Sequence, residues 1–305
     1  MKWLKKGLVY VPDGKMAWAK HSALQPTPIL ISDNVIRVYV GFRDENGVSR
    51  VGFVDVNANN PSVVLKVSEK PVLDIGNPGT FDENGVVPCA IVKRRGKLYL
   101  YYAGYQLGQK VRFYVFGGLA ISEDGGDFFS RYSNVPIIDR SDEALLFRVI
   151  HSIIFENGVW RIWYGAGSEF IQGTTKTLPV YDVRYLESED GINISKKGRS
   201  CINVKGGDEH RVGRPYVIKD GQTHRMFYGV GTQSKGYRLG YAESKDGLSW
   251  MRKDEDVGID ISKSGWDSEM IAYPSVVKHA EKTYMFYNGN DYGKTGFGYA
   301  VLEKW

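Results

Sequence analysis

Cysteine is nearly absent from the 305 residues: only Cys89 and Cys201 occur, far apart and outside any C-x-x-C pair. That excludes a disulfide framework and reads as two buried thiols in a reducing compartment. Also missing are a His/Cys cluster at zinc spacing, a P-loop, a glycine-rich strand-to-helix turn and a G-x-S-x-G elbow. No metal and no other cofactor is therefore expected. No apolar run is long enough to span a membrane, so membrane insertion is not expected. The start, Met1-Lys2-Trp3-Leu4-Lys5-Lys6, lacks the apolar stretch and small-residue cleavage site of a signal peptide, and a cytoplasmic location is expected. A large charge of one sign is lacking too. Forty basic against 35 acidic residues leave +5, with no Lys/Arg block, and no nucleic-acid partner is expected.

What the chain has is glycine and aromatics: 36 Gly, 20 Tyr and 7 Trp, the composition of a turn-rich β protein. A tight-turn signature, Ser-x-Asp-Gly, recurs in Leu119-Ala-Ile-Ser-Glu-Asp-Gly125, Tyr185-Leu-Glu-Ser-Glu-Asp-Gly191 and Tyr241-Ala-Glu-Ser-Lys-Asp-Gly247. Aromatic strands ending in or near glycine precede these turns, as in Trp163-Tyr164-Gly165 and Met226-Phe227-Tyr228-Gly229. About thirteen residues before each aromatic pair stands an anchor: Pro26, Pro88, His151, Pro215 and Pro274, spaced by 62, 63, 64 and 59 residues. A period of this kind marks a repeat architecture. In the fourth copy Pro215–Lys219, His224–Tyr228 and Arg238–Ser244 read as strands, and Trp250 begins another. The last copy runs out after its third strand, and Trp3–Pro12 resembles the missing outer one. The expectation is all-β: one domain over residues 1–305, a five-bladed β-propeller with four antiparallel strands per blade, its ring closed by the N-terminal strand.

In such a ring the first strand of each blade lines the channel, and the segment leading into it shares one face with the loop after the second strand. Polar residues collect there. The leading segments carry His21, then Asp82 and Glu83, then Arg148 and His151. The fourth carries Glu209, His210, Arg211 and Arg214, and the fifth Trp266, Asp267 and Glu269. Loops after second strands add Arg43, Tyr105 and Tyr292. Paired carboxylates suit chemistry at an anomeric carbon, one donating a proton to the leaving oxygen and one serving as base or nucleophile. Glu83 and Glu269 are the preferred catalytic pair, because both stand five residues before their anchors; Glu209 and Asp267 are the rivals. His21, Asp82, Arg148, His151, His210, Arg211, Arg214, Trp266, Tyr105 and Tyr292 are the expected substrate-binding residues. Arginine forks suit carboxylate or phosphate oxygens. The expected partner is thus a carbohydrate or sugar phosphate.

The run Phe81-Asp-Glu-Asn-Gly-Val-Val-Pro88, the Ser-x-Asp-Gly turns and Trp266-Asp-Ser-Glu269-Met resemble the five-bladed propellers of glycoside hydrolase families 43, 32, 68 and 130 over nearly the whole chain. The branch resembled is one encoded among surface-polysaccharide genes. The resemblance implies a glycoside hydrolase-like activity, or a phosphorylase or polysaccharide-assembling transferase, or a glycan-binding propeller without catalysis. Family 43 enzymes place an aspartate base on the first inner strand, where this chain has His21, and Glu209 is nearest to that family's acid. For the phosphate pocket of family 130 phosphorylases, His210, Arg211 and Arg214 are the basic residues in reach.

Overall fold

The computed structural model describes residues 1–173 and 177–305. Its strands form where aromatic and β-branched residues alternate, and they turn at Gly, Asn and Asp. An N-terminal strand, β1 (Lys2–Tyr10), precedes a four-stranded antiparallel sheet of β2 (His21–Ser32), β3 (Val35–Arg43), β4 (Ser49–Asn57) and β5 (Asn60–Val67). That order repeats in β6 (Val86–Arg94), β7 (Lys97–Leu107), β8 (Phe113–Ser122) and the short β9 (Ser130–Arg131). It repeats in β10 (Phe147–Glu156), β11 (Val159–Gln172), β12 (Thr177–Ser188) and β13 (Arg199–Ile202). A further copy is β14 (Glu209–Asp220), β15 (Thr223–Thr232), β16 (Arg238–Ser244) and β17 (Met251–Arg252). Short parallel contacts, β8 to β10 and β12 to β14, join these three groups into one sheet. The last strands are β18 (Ala272–His279), β19 (Lys282–Asn288) and β20 (Phe297–Lys304), and β1 pairs antiparallel with β20 as the fourth member. Helical structure among the described residues is limited to short turns at Asp254–Asp256 and Asn290–Gly293. The fold is all-β.

Apolar side chains bury between successive groups. Tyr39 and Phe53 share a cluster with Leu100 and Phe116, and Tyr101 and Leu119 share one with Ile150 and Trp160. Trp163 and Val183 meet Val212 and Met226, and Phe227 and Tyr241 meet Ile271 and Met285. Val38, Val40 and Phe42 of the first group pack on Phe286, Phe297 and Tyr299 of the last. First and last groups are therefore neighbours.

Four of these interfaces are also tied by polar bonds from buried aromatics. The Tyr39 hydroxyl donates to the Gly126 carbonyl (3.0 Å), Tyr101 to Gly191 (3.1 Å), and the Trp163 indole N–H to Gly247 (3.2 Å). Tyr284 donates to Asn59 of the first group (3.2 Å). Gly191 and Gly247 close Ser-x-Asp-Gly turns, and Gly126 directly follows one. In those turns Asp124, Asp190 and Asp246 accept backbone N–H groups, which holds the last two carboxyls down to about 2. Their work is turn formation.

Among the described residues no helix is long and apolar enough to cross a membrane. Both thiols are free. Cys89 is buried as expected, but Cys201 is half-buried, because its strand β13 lies outermost in its group.

Candidate binding site

Each group's first strand carries an irregularity at the same place. Pairing shifts register between Leu24 and Thr27 in β2, Pro88 and Ala90 in β6, and Ile150 and Ser152 in β10. The same happens between Gly213 and Tyr216 in β14 and between Ala272 and Ser275 in β18. A bulge adds an unpaired residue and re-aims its side chain. The first residues in these bulges are Gln25, Cys89, His151, Arg214 and Tyr273, followed in three of them by Pro26, Pro215 and Pro274. Gln25, Arg214 and Tyr273 hold left-handed φ of 53°, 50° and 56°, each just before a proline. Such strain in non-glycine residues collects at functional sites.

Four of these side chains line a cavity of about 340 Å³: Gln25, His151, Arg214 and Tyr273. That is at the small end of small-molecule pockets, which span roughly 300–1,000 Å³. Arg211 (β14), Tyr237 and Tyr292 form another part of the lining. The extended β11–β12 hairpin adds Leu178, Pro179 and Tyr181. Tyr105, Phe113, Arg43 and the exposed Arg112 complete the polar and aromatic lining. Among the described residues, no Asp or Glu belongs to it.

The arginines have distinct settings. Arg214 is 3% exposed and spends every N–H on neutral acceptors. It donates to Gln25 Oε1 (3.1 Å), Thr27 Oγ1 (2.9 Å), Ser275 Oγ (3.0 Å) and the carbonyls of Gln25, Pro26 and Pro274. It thereby ties β14 to β2 and β18 across the middle of the molecule. Burial without a counter-ion pushes it down to about 10, so it stays charged at neutral pH. Arg211 is held between rings, its guanidinium 4.3 Å from the Tyr237 centroid and 5.8 Å from that of Tyr292. It donates to the Tyr292 hydroxyl (3.2 Å), while its Nε has no partner. Gly231 beneath it is required, since a Cβ there would collide with Arg211 Nε. Tyr181 and Tyr237 join their hydroxyls beside it. His151 Nδ1 and Arg43 Nε also lack partners. Burial, and then the Arg214 charge, hold the His151 imidazolium far below its usual value, leaving the ring neutral.

Of the residues expected from sequence, Tyr105, His151, Arg211, Arg214 and Tyr292 line this cavity. The four catalytic candidates lie outside the lining, and each has a local cause. Glu83 Oε2 accepts the Gly79 N–H (2.7 Å) in its own turn. Glu209 forks onto Arg252 (2.9 and 3.1 Å). Asp267 is buried between Lys5 Nζ (2.7 Å) and the Tyr287 hydroxyl (3.0 Å). Glu269 is exposed, its backbone N–H held by Asn290 Oδ1 (2.8 Å). Asp82 takes Tyr102 (2.9 Å) and Arg131 (2.8 Å), and Glu143 takes Arg184 (3.0 Å) and the Tyr164 hydroxyl (2.5 Å). A buried tyrosine, a carboxylate and a cation thus recur as one structural unit. Arg148 lies beside that Glu143 and donates to the Ser195 carbonyl (2.7 Å). His210 bonds the Pro179 carbonyl (2.9 Å), His21 Nδ1 contacts Ser22 Oγ (2.8 Å), and Trp266 stacks on Tyr287. Sequence reasoning passed over Arg112, Tyr181, Tyr237 and Tyr273. Tyr273 had a signal: it precedes Pro274 as Arg214 precedes Pro215 and Gln25 precedes Pro26.

The fold is shared with carbohydrate-active enzymes. A structure of BT0996 in complex with RGII superposes with a TM-score of 0.74 at 18% identity, over 99% of this chain and 92% of that one. A thermostable family-43 glycoside hydrolase gives 0.67 at 16% identity, over 92% and 88%. A structure from the GH130 family, mannoside phosphorylases that include glycoside hydrolases targeting β-1,2 mannosidic linkages in Candida mannan, gives 0.75 at 15%, over 98% and 93%. At 15–18% identity these likenesses show a shared fold. No family model matches the sequence. The chain is 36% identical over 304 residues to the uncharacterized protein Rv1502 of Mycobacterium tuberculosis, covering 99% of this chain and 100% of the relative. MT1551 from a second strain of that organism matches to the same extent. The chain belongs to the family of these mycobacterial proteins.

Proposed function

We propose that the chain is one five-bladed β-propeller domain, closed by β1, that binds a carbohydrate in its central pocket without an Asp/Glu acid–base pair there. The observation that carries this reading is the lining: arginines, tyrosines, one neutral histidine and, among the described residues, no carboxylate. Two-carboxylate hydrolysis needs both groups within ~5–9.5 Å of each other around one glycosidic bond. Glu83, Glu209, Glu269 and Asp267 are instead held by their own turns and ion pairs or turned to solvent. The fold supports a carbohydrate ligand, and the pocket is small and aromatic, as such sites are.

The arginines favour a second reading, a phosphate-dependent phosphorylase or a transferase of polysaccharide assembly in the cytoplasm. Its turnover would require phosphate or an activated sugar. A screen of glycosides and activated sugars, with and without phosphate, separates the readings when run on wild type, Glu83→Gln and Glu269→Gln. Sugar binding unchanged in both variants, with no cleavage by any form, is the expected result. Cleavage lost in either variant while binding persists would restore the hydrolase. Phosphate-dependent turnover would establish the second reading.

A further inference from the structure

An uncompensated positive charge in a buried site is expensive unless something neutralises it. Among the described residues, Arg43, Arg112, Arg211 and Arg214 make no ion pair, whereas Arg37, Arg50, Arg131, Arg161, Arg225 and Arg252 each reach a carboxylate. These four line one cavity, whereas Arg94, Arg95 and Arg199, which also make no ion pair, lie outside it. Arg214 has no N–H left to give, so its role there is electrostatic. The free donors belong to Arg211, whose Nε is buried and partnerless, to Arg43 with the same orphan atom, and to Arg112 at the surface. His151 Nδ1 adds another partnerless polar atom in a residue 9% exposed.

Resting on the carbohydrate reading above, we infer that the pocket's ligand is a sugar that itself bears a carboxylate or phosphate group, with that anion against Arg211. The Tyr237 and Tyr292 rings fix the guanidinium plane of Arg211, which suits its fork to two oxygens of one anionic group. Tyr105 and Phe113, 5.8 Å apart, supply apolar surface for the ring of the sugar. Arg43 and Arg112 extend the positive field toward solvent and steer the anion inward. Carboxylate and phosphate share this recognition chemistry, and the ligand panel tells them apart.

The test is calorimetric titration at low salt with sugars that differ only in the anion: galacturonic acid against galactose, glucose 1-phosphate against glucose, and a uronate-bearing disaccharide against its neutral counterpart. Inorganic phosphate alone is titrated in parallel. At least one anionic sugar is expected to bind about 30-fold or more tighter than its neutral partner, and to weaken as salt rises. Arg211→Gln is expected to remove that advantage. Arg112→Ala, a change at an exposed lining residue, is expected to reduce it by a smaller factor. Neutral and anionic sugars binding alike would overturn the inference and leave the carbohydrate pocket standing. Inorganic phosphate binding as tightly as the sugar acids would also overturn it, because the anion would then be a separate ligand. Binding by no sugar, neutral or anionic, would remove both this inference and the carbohydrate reading.

Discussion

Replacing Asp267 by alanine is expected to lower the free energy of unfolding by about 3–5 kcal/mol, the usual loss when one member of a buried ion pair is removed. Its carboxylate is 2% exposed and receives both the Lys5 ammonium, from the N-terminal strand, and the buried Tyr287 hydroxyl. Alanine leaves the buried Tyr287 hydroxyl with no acceptor and Lys5 with only the neutral Ser262 Oγ (3.1 Å), in the place where β1 meets β19 and β20. Asp267→Asn keeps an oxygen for Tyr287 but not the charge, and should cost less. Urea unfolding followed by tryptophan fluorescence reads both. An unchanged midpoint with a specific loss of function would show that Asp267 serves chemistry rather than structure.

Arg214→Met should be comparably damaging, at about 3–5 kcal/mol, although two effects oppose each other. Removing a buried charge that lacks a counter-ion relieves desolvation. Against that, Gln25, Thr27 and Ser275 lose the donor that joins three first strands, and hydrogen bonds to a charged group are worth about 1.5–3 kcal/mol each. Several such bonds outweigh the relief. Arg214→Gly separates backbone from side chain, because glycine removes the strain of the φ of 50°. The glycine variant should recover about 1 kcal/mol of the methionine loss and no more. A stabilised methionine variant in urea titration would show that the guanidinium is held at net cost, as a ligand group only.

Period and strand order were legible because turn chemistry and aromatic pairs are local signals. The strands expected around 215–219, 224–228 and 238–244 lie within β14, β15 and β16. The outer place of Trp3–Pro12 beside the last strand was legible for the same reason, as an aromatic run left over at the other end of the chain. Which side chain enters the middle was harder to read. One inserted residue in a strand flips every neighbour's face, and the bulges sit at the anchors. The prolines at 26, 215 and 274 marked the place, while the residues just before them occupy the cavity.

From sequence alone, polarity beyond packing needs points to the carboxylates as catalytic. The missing information was tertiary. Tyr102, Tyr164 and Tyr287 bury their hydroxyls against Asp82, Glu143 and Asp267, an arrangement that joins residues some 20 positions apart. Nothing local in Phe81-Asp-Glu-Asn says that Asp82 already has two donors. Arg112 and Tyr181 reach the cavity from loops and hairpin extensions whose direction depends on packing.

On the proposed function, the ligand site is the arginine–tyrosine cavity and contains no catalytic carboxylate. A crystal structure of the protein with galacturonate or a glucose phosphate bound tests it most directly. The ligand is expected beside Arg211, His151 and Tyr292, its anion on the Arg211 guanidinium, with no Asp or Glu oxygen near the ring carbons. A sugar seated instead between Glu83 and Glu269, or between Glu209 and Asp267, would contradict it.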